Sequence, residues 1–293
     1  MANRSDRRAF LQAAGITVAG LGMTEFRGLA MADQPAKKDG TPHATKLGWR
    51  LGCQAWSFHD MTFYDAVDRV ASLGLHVIEA YPGQKIEPNR DGTMVASMPE
   101  ERRKEVKKRL SDNGLKLVNF GVGGYSKEIF DFAKDMGIET LVSEPPFDAF
   151  DEIEKLCDSY QINLALHDHP EPSRYWNPDT VLMVCKGRSK RIGACCDTGH
   201  WMRSGIKPID ALKKLEGRII SFHLKDLNEF AKDAHDVPWG TGRADIRGIL
   251  TEVYRQKIKP VFSVEYEYHY GKSMPEIAEC VAYFDKVAGE LSQ

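Results

Sequence analysis

The sequence predicts an α/β protein built as a single (β/α)8 barrel, on three observations. Short apolar runs alternate with amphipathic helical stretches along most of the chain, as expected for parallel strands joined by helical crossovers. About eight such units fit within the 293 residues, and barrels of roughly 250 residues form one domain. Three successive late strands end in Asp197, His223 and Glu265, at the edge where parallel barrels place their ligands. An open doubly wound sheet is the alternative, but no GxGxxG follows the first strand, so the dinucleotide-binding fingerprint is missing.

The first residues stand apart from this pattern. Ser5-Asp6-Arg7-Arg8-Ala9-Phe10-Leu11-Gln12 resembles a twin-arginine export motif, Ala13 to Met23 is mildly apolar, and Ala30-Met31-Ala32 offers a small-x-small cleavage site. Residues 1–32 therefore read as a signal peptide, which predicts a periplasmic or otherwise exported protein. Residues 33–47, with Pro35, Gly40 and Pro42, read as a flexible lead-in, and 48–293 as the barrel.

Within the barrel, Trp49 to Phe58 reads as the first strand, and Thr62 caps a helix that Gly74 terminates. His76 to Tyr81 is the second strand, followed by a loop with Pro82, Gly83 and Pro88. The helix from Pro99 to Asp112 carries Arg102-Arg103-Lys104 and Lys107-Lys108-Arg109 interleaved with glutamates, which reads as a solvated face. Leu115 to Val122 is the third strand, before the tight turn of Gly123-Gly124 and a helix over 126–136. Thr140 to Ser143 is the fourth strand, ending at Glu144-Pro145-Pro146, and Asp148 to Tyr160 is helical. Asn163 to Leu166 is the fifth, ending in His167-Asp168-His169-Pro170. Arg191 to Cys196 is the sixth, and Lys207 to Leu215 the helix after it. Strands seven and eight begin at Ile219 and Val261, and Pro275 to Leu291 is the closing helix.

The totals exclude several classes. A formal net charge of −2 and a pI near 6.5 do not suit a nucleic-acid surface. Loss of residues 1–32, with four arginines and two acidic residues, shifts the charge to −4. No apolar run reaches the ~20 residues of a membrane span, so no membrane partner is expected after signal cleavage. The six cysteines form no CxxC pair and read as buried core thiols.

The chemistry concentrates at the strand ends. Side chains two apart in a strand share a face, so His223 pairs with Lys225, Glu265 with Glu267, and His167 with His169. Imidazole nitrogen and carboxylate oxygen together suit Mn²⁺, Zn²⁺, Co²⁺, Fe²⁺ or Mg²⁺. Such an ion polarises a carbonyl and stabilises an enediolate when a base removes the adjacent proton. Asp197 reads as a ligand or as the cap of the next helix. Lys225 reads as a cation holding an oxyanion or, with a depressed pKa, as a base. Trp56, Trp201 and Trp239 read as core or as pocket walls for a sugar face, His200 as a core histidine, and Arg203 as a substrate contact or a loop ion pair.

Cys196-Asp197-Thr198-Gly199-His200-Trp201, Phe222-His223-Leu224-Lys225-Asp226, Pro238-Trp239-Gly240-Thr241-Gly242 and Ser263-Val264-Glu265-Tyr266-Glu267 together resemble the sugar phosphate isomerase/epimerase family. These are the xylose isomerase-like TIM barrels, a group that includes the AP endonuclease 2 type. The resemblance implies four metal ligands from successive strand ends, Glu, Asp, His and Glu, with Asp197, His223 and Glu265 matching the last three. The family's usual fifth-strand ending is Glu-Asn-His-Pro, and here His167 holds the glutamate position. The first ligand is therefore Glu144 or His167. Glu144 is the favoured choice as ligand or base, with His167 and His169 lining the site, His200 as a substrate contact, and Glu265 and Lys225 joining it in catalysis. The implied function is a metal-dependent isomerase or epimerase acting on a small carbohydrate. Alternatives are β-elimination from a 3-keto-glycoside, a phosphodiesterase of the AP endonuclease kind, and a non-catalytic sugar-binding barrel. The sequence leaves the sugar, the metal and homo-oligomerisation open.

Overall fold

The computed structural model describes residues 39–293, so the expected signal peptide and the start of the lead-in lie outside the described residues. The strands are β1 (Arg50–Gln54), β2 (Val77–Ala80), β3 (Lys116–Gly123), β4 (Thr140–Ser143), β5 (Asn163–His167), β6 (Ile192–Asp197), β7 (Ile219–Leu224) and β8 (Val261–Val264). Each pairs in parallel with its neighbours in chain order, and β8 closes on β1 with Arg50 opposite Val261. β6 is buried at every position, which is why it reads as an unbroken apolar run rather than an alternating one. Gly193 within it is required by a close approach, because a Cβ there would lie 2.1 Å from the Arg218 carbonyl oxygen of the next strand's lead.

The helices bury one stripe each. In Phe63–Ser72 the buried residues Phe63, Ala66, Val67 and Val70 recur at helical spacing. Thr62 and Asp65 close a reciprocal capping box at its start. The main core lies between strands and helices, where the rings of Phe222, Phe262 and Phe284 pack at centroid distances of 4.9 and 5.0 Å. At the N-terminal ends of the strands, Arg218 donates to the carbonyls of Cys185, Arg188, Ser189 and Ile192. All six cysteines are buried and unpaired, as the sequence leads one to expect.

Four local features differ from the sequence reading. β1 stops at Gln54, whose side chain accepts from Trp56 N and starts a 3₁₀ turn over Ala55–Phe58. The lead-in contains a helix, Pro42–Leu47, because the Asp285 carboxylate of the closing helix accepts from the backbone N–H groups of His43 and Ala44. The loop after β2 holds a small hairpin, Lys85–Glu87 with Arg90–Thr93. The basic helix buries Val106 and Leu110, and its basic residues reach solvent except Arg102, which is buried and pairs with Glu87 of that hairpin and with Glu105.

The barrel interior is polar at its upper level. Glu79 of β2 accepts from Ser263 Oγ of β8 at 2.7 Å, approaches His223 Nε2 of β7 at 2.8 Å, and accepts from Asn119 Nδ2 of β3 at 3.3 Å. Four strands thus contribute side chains to one buried hydrogen-bonded group just beneath the strand ends.

A candidate metal centre and its cavity

β6 ends at Asp197, and the chain turns directly into a short helix, Thr198–Arg203. The two roles the sequence sets against each other are divided between the two oxygens of Asp197. Oδ1 accepts from His200 N at 2.8 Å and caps the helix, while Oδ2 is buried with no hydrogen-bond partner. Asp168, one residue beyond β5, accepts from Asp197 N at 2.8 Å and fixes the turn. Thr198 Oγ1 donates to the Lys225 carbonyl and accepts from Lys225 N, tying the end of β6 to the end of β7. Gly199 is needed here because a Cβ would sit 2.8 Å from the Lys225 stem.

Two histidines point inward with one ring nitrogen each. His223 uses Nε2 on Glu79, and its buried Nδ1 has no hydrogen-bond partner and lies 3.2 Å from Glu265 Oε2. His167 uses Nδ1 on Glu144 Oε1 at 3.1 Å, which leaves Nε2 at 3.6 Å from Asp197 Oδ2. His167, Asp197, His223 and Glu265 are all buried, and each offers a ligand atom within 4.8 Å of the others. Buried polar atoms normally have partners. Two imidazoles and two carboxylates converge here, with Asp197 Oδ2 and His223 Nδ1 making no hydrogen bond, and form a donor set that suits a divalent cation. Glu144, His167 and His169 form a second group of the same kind, in which Glu144 Oε1 also contacts His169 Nδ1 and accepts weakly from its backbone N–H.

Lys225 is fully buried beside this centre. Its ammonium lies 3.0 Å from Asp197 Oδ2, 2.8 Å from Glu265 Oε2 and 2.6 Å from Glu267 Oε2. Burial disfavours the charge, but Asp197, Glu265 and Glu267 outweigh it and hold the pKa well above the usual lysine value. These contacts favour the cationic reading of Lys225 over the base reading. Burial works against the Asp197 carboxylate too, yet the neighbouring His200, the Lys225 ammonium and the His167 ring keep it well below its usual range. Glu144 is likewise held low by His167 and His169 against the cost of burial. His200 goes the other way, with burial pushing its pKa well down.

A cavity of about 370 Å³ opens above the centre, with Glu265 and Glu267 among its lining residues. The rings of His167, His169 and His200 form another part of it and contact one another, His169 stacking on His200 at 5.3 Å. Trp56 and Tyr81 also line it, with Trp56 held by its Nε1 donating to Glu267. Asp197 and His223 lie fully buried beneath. Two residues read as candidate substrate contacts are engaged by the protein itself. Trp239 is buried against Phe284, its backbone N–H bonded to Cys280 Sγ, so it packs the core instead of a sugar. Arg203 is spent on the Ala234 carbonyl, His200 Nδ1 and Glu267, which makes it a loop tie. The Pro238–Gly242 motif is structural too, because the Asp226 carboxylate accepts from the N–H groups of Gly240, Gly242 and Ala244.

Sequence reasoning missed Glu79 and Asp168. The signal for Glu79 was present as a lone carboxylate inside the apolar run Val77-Ile78-Glu79-Ala80, since acidic residues are rarely buried without a partner. Asp168 gave none beyond its place between two histidines.

The family model for the xylose isomerase-like TIM barrel matches residues 67–287. Among solved structures, a protein from Parabacteroides distasonis is 29% identical, with a TM-score of 0.68, covering 82% of this chain and 99% of that one. A D-tagatose 3-epimerase-like protein is similar at 16% identity and TM-score 0.67, over 83% of this chain and 100% of that one. A xylose isomerase-like TIM barrel protein from Mycobacterium smegmatis, solved in complex with magnesium, is similar at 15% identity and TM-score 0.67, over 84% and 98%. A curated relative, the y4fM protein of Sinorhizobium fredii, is 30% identical over 112 residues, a match spanning 36% of this chain and 34% of that protein.

Proposed function

The chain belongs to the xylose isomerase-like TIM barrel family, and from that premise we propose that it is a divalent-metal-dependent enzyme acting on a carbohydrate by removing a proton next to a carbonyl. The observation that carries this reading is the buried set of Asp197, His223, Glu265 and one further strand-end ligand at the floor of a cavity, in which Asp197 Oδ2 and His223 Nδ1 make no hydrogen bond. When bound there, a divalent ion supplies Lewis-acid polarisation of the substrate's carbonyl and neighbouring hydroxyl.

The chain's own residues supply the rest. Glu265 is ionised, because Lys225 and His223 outweigh the cost of its burial, and it reaches the cavity, so it is the carboxylate placed to take the proton. Lys225 holds Glu265 and Glu267 in fixed positions and keeps a positive charge beside the developing oxyanion. Trp56 and Tyr81 offer faces against which a sugar ring packs. His169 and His200 are the groups placed to exchange protons with substrate oxygens, His200 in its neutral form.

β-Elimination from a 3-keto-glycoside is the second reading. The observation favouring it is that both carboxylates lining the cavity, Glu265 and Glu267, come from the end of β8, while the end of β5 contributes the imidazoles of His167 and His169. Epimerisation calls for a base on each face of the carbon, whereas elimination calls for one base and a proton donor to the leaving oxygen.

The reading predicts that mature protein transfers solvent deuterium to the carbon next to the carbonyl in a panel of keto-sugars and 3-keto-glycosides. Chelator and Glu265→Gln should each abolish the exchange, and glycoside cleavage would select the elimination branch. Sugar binding without exchange, indifferent to chelator, would leave a non-catalytic barrel. Release of fragments from abasic DNA would instead support the phosphodiesterase. We also propose export, supported by the Arg7-Arg8 motif. Fractionation of wild type against an Arg7→Lys/Arg8→Lys variant tests it, and equal periplasmic yield of the two would refute it.

A further inference from the structure

We infer that His167, through Nε2, is the fourth ligand of the metal centre, that Glu144 is the residue that positions its ring, and that the resulting pair of imidazoles and pair of carboxylates prefers zinc, cobalt or ferrous iron to magnesium. The inference rests on the proposed metal centre and goes beyond it to ligand set and ion choice.

The two histidines are built alike. In each, one ring nitrogen meets a carboxylate on the side away from the centre, His223 Nε2 with Glu79 at 2.8 Å and His167 Nδ1 with Glu144 at 3.1 Å. A neutral imidazole that donates from one nitrogen presents a lone pair at the other. Those other nitrogens face Glu265 Oε2 at 3.2 Å and Asp197 Oδ2 at 3.6 Å. A carboxylate behind the outer nitrogen is the usual means of fixing tautomer and ring orientation in a metal-binding histidine.

Glu144 is unsuited to the ligand position. It lies outside the four-residue group, and its Oε1 is already contacted by the ring nitrogens of His167 and His169 and by the His169 N–H. His167 is buried, whereas Glu144 is partly exposed. The independent evidence that the inner atoms can take a ligand is His223 Nδ1, which is buried without a hydrogen-bond partner, and Asp197 Oδ2, which makes no hydrogen bond and faces only the Lys225 ammonium at 3.0 Å and the edges of His167 and His200. Two carboxylates give the set a charge of −2, where three carboxylates would give −3. Imidazoles in place of hard oxygens disfavour Mg²⁺ and favour borderline ions.

The test loads metal-stripped mature protein with one equivalent of Cu²⁺ and counts coordinated imidazoles by pulsed electron paramagnetic resonance. A parallel dialysis against equal concentrations of Zn²⁺ and Mg²⁺ is read by elemental analysis. The expected count is two imidazoles in wild type and one in His167→Gln and His167→Glu, with His167→Glu raising the Mg²⁺ share and weakening Zn²⁺ at least tenfold. Glu144→Ala should weaken Zn²⁺ roughly 10- to 100-fold while still showing two imidazoles, and Glu144→Gln, which keeps an acceptor for Nδ1–H, should recover most of the loss. One imidazole in wild type overturns the inference and leaves the metal centre standing, and this arm needs no variant to fold. Two ions per chain, one lost in Glu144→Ala, would make Glu144 a ligand and overturn its positioning role. No ion retained by wild type would overturn the metal centre itself.

Discussion

Glu79→Gln isolates the contribution of one buried charge with little change of shape. Glu79 is 1% exposed and holds three contacts, to His223 Nε2 at 2.8 Å, Ser263 Oγ at 2.7 Å and Asn119 Nδ2 at 3.3 Å. Glutamine keeps one acceptor for His223 and turns the other oxygen into a donor. Ser263 can rotate to accept from it. Asn119 can flip, because its Oδ1 has no partner in the native arrangement, so the network closes again and the fold should survive. What is lost is the charge on the bond to His223. Charge-assisted hydrogen bonds contribute about 1.5–3 kcal/mol and neutral ones about 0.5–1.5, so the change weakens the hold on His223 by about 1–1.5 kcal/mol. That corresponds to roughly tenfold in metal affinity, at the lower edge of the 10- to 100-fold range for carboxylates behind metal-binding histidines. Competition against a chromogenic zinc chelator measures it, with circular dichroism confirming the fold. An unchanged zinc affinity in Glu79→Gln would refute the argument that the charge of Glu79 strengthens the hold on His223. Glu79→Ala should do worse, because stranding the buried partners costs about 3–5 kcal/mol of stability.

Gly242→Ala should destabilise the barrel without touching the metal ligands. A Cβ there would lie 2.3 Å from Asp226 Oδ1 and 2.5 Å from the Leu227 carbonyl oxygen, and overpacking of this kind costs about 1–3 kcal/mol. At about 2–4 °C per kcal/mol, calorimetry should show a Tm lower by roughly 2–12 °C, and an unchanged Tm would refute the carboxylate-locked loop. Asp236 sets a pH dependence. Burial pushes its pKa up to about 7, against the pull of Lys225, so the native state binds a proton that the unfolded state releases above about 4. Its contribution is fully present at low pH and is lost as pH rises to 7, by about 1.4 kcal/mol per unit and about 4 kcal/mol at most. Urea unfolding from pH 5 to 7.5 should show a flatter stability profile in Asp236→Asn than in wild type, and parallel profiles would sink the assignment.

Much of the molecule was legible in the residues alone. The alternation of β-runs and helical stretches, the Thr62 cap, and the polar endings at Asp197, His223 and Glu265 are local patterns, and local patterns fixed the barrel and the edge where its site forms. The helix over Thr198–Arg203 and the division of labour between the two oxygens of Asp197 were half visible, because cap and ligand both draw on the same carboxylate. The rest was out of reach for a physical reason. Glu79 and His223 are 144 residues apart, and Glu144 and His167 are 23 apart on adjacent strand ends. Whether they meet depends on strand register and on how the sheet closes on itself, which a period of two along each strand does not encode. The same holds for Lys225, whose chemistry was set by three carboxylates brought to it from β6 and from the end of β8. Trp239 and Arg203 carry the right side chains for a sugar site, but only the path of the chain after β7 decides that one packs the core and the other ties a loop. Sequence determined which groups stand at the strand ends; closure of the barrel decided which nitrogen and which oxygen face the centre.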